Sequence, residues 1–242
     1  MGNVQTDPSD LSAVAAGNRD RVLAAATRLL AEGGRDAIST RAVATGAGLQ
    51  APVIYRLFGD KQGLLDAVAA HVFEAYLGSK AVSPHTGDPV EDLREGWDLH
   101  VEFGLANPAT YALIYGDPRS DAVPAPAARA ANKILADSIH AVAAAGRLRV
   151  SEAHAVQLIR STGAGVTLAL IALPEERRDL TLSVLAREAV IAAITTTAPT
   201  PARPGARAAA IALRAQLAQT TALSASELSL LRDWLDRIAA EH

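Results

Sequence analysis

At 242 residues, 50% of them apolar, the chain can bury a sizeable core, and its formal net charge of −3 excludes a protein that attracts nucleic acid through an overall basic surface. The absence of cysteine excludes disulfides, thiolate metal sites and a cysteine nucleophile together. Aromatics make up only 4% of the residues while alanine, leucine and valine recur at helical spacings, so an all-α fold is expected.

The opening stretch MGNVQTDPSDLSAVAAGN has neither a basic n-region nor a continuous apolar run. Residues 1–18 therefore read as a flexible polar arm and not as a signal peptide, and a cytoplasmic location is expected. Residues 19–32 put Val22, Ala26, Leu29 and Leu30 on one helical face, and Gly33-Gly34 ends that helix. Ser39 is placed to cap a second helix, with Ile38 and Val43 flanking it as a hydrophobic staple, and Gly46 and Gly48 end it near Ala47. Pro52 predicts a third helix from 52 to about 58 with Ala51 as its cap residue. Gly59 closes it, and Asp60 caps a fourth helix from 61 to about 78.

After the break KAVSPHTGDP, helical patterns resume at about 89–105, 108–115, 124–145, 152–173 and 180–197. The proline-rich joint TTTAPTPARPGAR leads to two last helices at 206–219 and 225–240, with Ser224 and Glu227 spaced as a capping box. The longest apolar run, residues 163–173, is well short of the roughly 18 residues that cross a bilayer, so no membrane partner is expected.

Two short helices around a glycine turn, preceded by a longer one, match helix-turn-helix geometry, in which the second helix of the pair enters the major groove. Within residues 39–61 the charged residues are Arg41, Arg56 and Lys61 against Asp60, a local positive bias. Arg56 suits phosphates or guanine edges, Val53 suits a thymine methyl, and Thr40, Tyr55 and Lys61 suit backbone phosphates. The same spacing fits a helical hairpin inside an ordinary bundle, with Tyr55 and Phe58 in its core and Arg41 and Lys61 solvated.

The segments RVLAAATRLLAEGG, ISTRAVATGAGL and APVIYRLFGDKQGLLDAVA, in this order, resemble the N-terminal domain of TetR-family transcriptional regulators. Ser39-Thr40, the Tyr55-x-x-Phe58 pair, Lys61 and the Leu64-Leu65 pair carry the resemblance, which covers under a quarter of the chain. It implies a three-helix DNA-binding domain, here over 19–78, and a larger helical ligand-binding and dimerisation domain over 79–197; the C-terminal extension over 198–242 has no counterpart in the shorter members of that family. It implies no enzymatic activity and no cofactor: the function is that of a ligand-responsive repressor, a homodimer on a palindromic operator in double-stranded DNA, released by a small, largely apolar effector. By position, Thr40, Tyr55 and Lys61 bind phosphates, while Arg41, Gln50, Ala51, Pro52, Val53 and Arg56 lie near bases or their flanking phosphates. Two departures stand out: Gln50-Ala51 replaces the usual Ser or Thr before the third helix, which weakens its cap, and Leu57 replaces a common polar residue.

Beyond residue 80 the reading is less specific. FGLANPATYALIYGDP resembles a helix junction found in a large subset of that family, and Trp97, His100, Phe103, Tyr111 and Tyr115 are the expected ligand-binding set; the same side chains also read as plain core. Leu158, Thr162, Gly165, Val166 and Ala169 share one face of the 152–173 helix, and Leu182, Leu185, Ala189 and Ala193 one face of the 180–197 helix. These faces suit a four-helix dimer interface, burial within the monomer being the alternative. His71 and Glu74, with His100 or His140, make only a weak metal set, with His71 expected to be partly buried. The other function class that remains is a helical ligand-binding or protein-binding module without DNA binding.

Overall fold

A computed structural model describes residues 8–79, 86–116, 126–196 and 205–240, and every extended regular element among them is helical. The described helices fall into two compact units.

The first unit holds α1 (Pro8–Ala37), α2 (Thr40–Ala47), α3 (Ala51–Phe58), α4 (Lys61–Ser79) and α6 (Pro108–Tyr115). The break read at Gly33-Gly34 is a kink inside α1, where Gly34 takes φ 65. At its other end α1 is helical from Pro8, where the polar arm was expected to run to residue 18; proline is well suited to a first helical turn, and alanines follow it. Residues 1–7 of that arm lie outside the described residues. The core of this unit is Val22, Ala26, Leu30, Ile38, Val43, Ile54, Leu64, Leu65 and Val68, with Leu29, Leu49, Leu57 and Phe58 packed on it half-buried. Ala109 and Leu113 of α6 join the same cluster, so α6 belongs with the N-terminal helices.

The second unit holds α5 (Pro89–Ala106), α7 (Pro126–Ala144), α8 (Glu152–Ile171), α9 (Thr181–Ile194), α10 (Ala206–Gln216) and α11 (Ala225–Ala240). Its core runs through Val90, Leu93, Trp97, Ile139, Val142, Leu148, Ile159, Leu170, Ile191 and Ile194. The Trp97 indole N–H donates to the Ser183 hydroxyl at 3.0 Å, so a buried donor on α5 is satisfied by a buried acceptor on α9. At the surface of the same helix pair, Arg94 holds Glu188 through Nε and Nη2, and that bond keeps the Glu188 carboxyl below the usual glutamate range. The link between α7 and α8 is pinned to the end of α9, with the Arg149 amide donating to the Ile194 carbonyl at 2.7 Å and the Thr196 amide to Arg147 at 2.9 Å.

The C-terminal extension could not be placed from sequence. Ile211, Ala215 and Ala239 sit in the main core of the second unit, and Gln216 Nε2 donates to the Ala144 carbonyl at 3.3 Å. The capping box is formed as read: the Ser224 amide donates to Glu227 at 2.8 Å, and the Glu227 amide to the Ser224 hydroxyl at 3.4 Å. Residues 197–204 of the proline-rich joint lie outside the described residues, as do 80–85 of the break after the fourth helix and residues 117–125.

Candidate nucleic-acid interface

The chemistry of the α2–α3 pair begins with how each helix end is closed. Ser39 has extended dihedrals, and its hydroxyl accepts from the Ala42 amide at 3.1 Å. Ile38 and Val43 on either side of it are both fully buried, which completes the staple. At the other end Gly48 adopts φ 64, ψ 38; its amide donates to Thr45 at 3.1 Å and the Leu49 amide to Ala44 at 2.9 Å, a Schellman pattern that a residue with a Cβ adopts only at a cost. Gly48 thus closes α2 and begins the turn to α3.

α3 begins at Ala51, one residue earlier than read, with Gln50 at the cap position and no side-chain capping bond. Pro52 still falls in the first turn, where its missing N–H has no intrahelical partner to lose. At the far end Gly59 takes φ 78, and Asp60 caps α4 by accepting from the Gly63 amide at 2.7 Å. Gly63 was not singled out in the sequence, yet a Cβ there would lie 2.1 Å from the Phe58 carbonyl oxygen, so α4 approaches the end of α3 through a bare backbone.

Ile54 is the one fully buried residue of α3. The rest of the helix faces outward or sideways: Pro52, Tyr55 and Arg56 are exposed and Ala51 and Val53 half-buried, with Gln50 exposed at the cap. Arg41 and Lys61 are exposed on the flanking helices, and the Thr40 hydroxyl lies 3.4 Å from the Tyr55 phenol. None of the nine sequence-derived residues is buried: six lie on α3 or at its cap, Thr40 and Arg41 on α2, and Lys61 at the start of α4. Tyr55, at 52% exposure, is not core, which removes the ordinary-bundle reading for that residue; Phe58, half-buried, is partly core as that reading had it. Leu57, which departs from the family pattern, packs half-buried on the core.

The four aromatic residues and one histidine expected to form a ligand site divide differently. Trp97, His100 and Phe103 lie on α5 in the second unit, whereas Tyr111 and Tyr115 lie on α6 in the first, their rings 4.5 Å apart. Trp97 and His100 converge on α8 at Gly163, where a Cβ would sit 3.6 Å from each ring. Burial pushes the His100 imidazole down from its ordinary 6.5 to about 4. Because the folded state takes up this proton less readily than the unfolded state, the stability it confers is complete above pH 6.5 and is lost as pH falls from there toward about 4. Thermal unfolding followed across that interval should show the midpoint dropping in wild type and dropping less in His100→Phe.

The faces expected at a dimer interface are open in the single chain. Leu158, Gly165 and Ala169 on α8 are exposed, as are Leu182, Leu185, Ala189 and Ala193 on α9; Thr162 and Val166 are half-buried. Leu173, Leu180 and Val184 extend the same apolar exposure. His71 is exposed rather than partly buried, because the outer side of α4 is not covered at that point. His140 pairs with Glu152 at 3.2 Å, and among the described residues no cluster of His, Asp or Glu is arranged to hold a metal. No described helix is long and apolar enough to cross a membrane.

Residues 22–68, spanning the second half of α1 through the start of α4, match the family model for bacterial regulatory proteins of the tetR family. Comparison with curated proteins gives no match. Among solved structures, a TetR-family transcriptional regulator from Haemophilus influenzae Rd superposes with a TM-score of 0.52 at 22% identity, over 74% of this chain and 97% of that one. A TetR-family regulator from Agrobacterium tumefaciens gives 0.52 at 22% identity over 75% and 100%. A point variant of TetR from Acinetobacter baumannii AYE, solved in complex with minocycline, gives 0.52 at 22% over 71% and 93%. At these identities the structural likeness speaks for the fold.

Proposed function

We propose, for a chain whose residues 22–68 match the family model for bacterial regulatory proteins of the tetR family, the function of a cytoplasmic repressor that binds a palindromic operator as a homodimer and is released by a small, largely apolar effector. The family comprises DNA-binding transcription factors and not enzymes. The observation that carries the reading is α3 itself: an eight-residue helix closed by Gly48 before it and Gly59 after it, anchored through Ile54, with Pro52, Tyr55 and Arg56 exposed. Thr40, Tyr55 and Lys61 hold backbone phosphates in this reading. Arg56 reads base edges, with Pro52 and Val53 against thymine methyls and Arg41, Gln50 and Ala51 along the rim.

The dimer forms through the exposed apolar faces of α8 and α9, which places two copies of α3 about one helical turn of DNA apart, roughly 34 Å. The effector binds in the second unit beside His100 and Phe103 and shifts the population of dimers by binding one arrangement more tightly than the other. Thr40 and Lys61 contribute charge or hydrogen bonding without sequence information, so they tune affinity and not selectivity.

Gel-shift titrations against the DNA flanking its own gene, at several stated salt concentrations, test the reading. The expected result is a selective complex whose log K falls linearly with log salt, and a Lys61→Ala variant whose slope is shallower by roughly one unit. Absence of any selective complex would favour a helical ligand-binding or protein-binding module instead.

A further inference from the structure

We propose that Arg21, aided by Arg19, is a positioning residue that fixes how α3 is presented to DNA, an inference that rests on the DNA-binding reading above. The Schellman turn at the end of α2 uses the carbonyls of Ala44 and Thr45, and leaves those of Ala47 and Gly48 without a partner inside the turn. Arg21, on α1, supplies one: its Nη2 donates to the Ala47 carbonyl at 2.6 Å and to the Gly48 carbonyl at 3.3 Å. A guanidinium at this point also meets the negative end of the α2 dipole.

Gly48 is fitted to that arrangement twice over. Its φ of 64 is costly for any residue with a Cβ, and a Cβ at this position would lie 3.0 Å from the same Arg21 nitrogen. Two residues earlier on α1, the Arg19 guanidinium carbon lies 4.9 Å from the centroid of the Phe58 ring, and Phe58 is the last residue of α3. One helix thus holds the turn before α3 and the residue that ends it, while α3 contributes a single fully buried side chain of its own. Arg21 commits its Nη2 to backbone carbonyls, so in this proposal it acts on the turn and not on phosphates, and its loss should blur selectivity while leaving the salt dependence alone.

The test uses the full-length protein with Arg21→Ala and Arg21→Lys, a duplex recovered by wild type from a random-sequence pool, and a scrambled duplex of equal length. Arg21→Ala should bind the selected duplex about tenfold more weakly, hold the scrambled duplex within about twofold of wild type, and keep the wild-type salt slope. Amide exchange over residues 44–51 should quicken without DNA present, and Arg21→Lys should recover part of both effects. The proposal is overturned by a slope shallower by about one unit, which marks a phosphate contact. Equal losses on both duplexes, or unchanged binding with unchanged exchange, overturn it as well. If wild type recovers no selective duplex, the DNA-binding reading is what fails, and exchange in the turn decides alone whether Arg21 holds it. Should Arg21→Ala not fold, the lysine variant carries the same comparison.

Discussion

Replacing Leu182 and Leu185 together by aspartate is expected to yield a folded monomer that no longer binds DNA selectively. Both side chains lie on α9 and are 46% and 66% exposed in the single chain, so neither supports the monomer's own core. In a two-fold dimer each would be covered by the partner, and burying a leucine contributes about 1.5–3 kcal/mol. Two leucines from each of two subunits make this a large part of any association energy, and aspartates there would face one another across the symmetry axis as unpaired charges. A monomer offers one α3 instead of two, and the loss of selective affinity should be on the order of a hundredfold or more. Sedimentation velocity and gel shift on the double variant measure both effects. A variant that still sediments as a dimer would show that α8 and α9 do not form the interface.

Truncating Ile54 to alanine should have the largest effect on the DNA-binding unit itself. Ile54 is fully buried and is the residue through which α3 enters the core of Val22, Ile38, Val43 and Leu64. Large-to-small changes of this kind cost about 2–5 kcal/mol, and an eight-residue helix has little stability of its own to hold it in place once its anchor is gone. Selective DNA binding should disappear, while urea unfolding loses stability in the N-terminal helices and the second unit keeps its helical signal. A stability loss below about 1 kcal/mol with binding retained would show that α3 is held mainly by its ends.

Much of the fold was legible before any coordinates, because helix ends are written in short-range chemistry. Ser39, Gly48, Gly59, Asp60 and the Ser224–Glu227 box act on amides and carbonyls within a few residues, so spacing alone located α2, α3, the start of α4 and the start of α11. The start of α3 was read one residue late, since the bias that Pro52 places on Ala51 is a preference and the first turn still closed around it. Arg19, Arg21 and Gly63 carried no signal in the sequence. Their partners, Phe58, the Ala47 and Gly48 carbonyls and the Phe58 backbone oxygen, are brought near only when the first four helices pack.

The sequence by itself determined that the chain is helical, where its short helices begin and end to within one residue, and that a helix-turn-helix pair sits between a longer helix and the start of α4. Periodicity shows that a helix has an apolar face but not what covers it, because covering is a property of distant segments. Only the tertiary structure decided that Tyr55 faces outward while Ile54 is buried, that Trp97 is a core residue bonded to Ser183, and that α10 and α11 pack on the second unit. It likewise left Leu182 and Leu185 uncovered in the single chain, since no other helix of the described chain comes close enough to take them out of water.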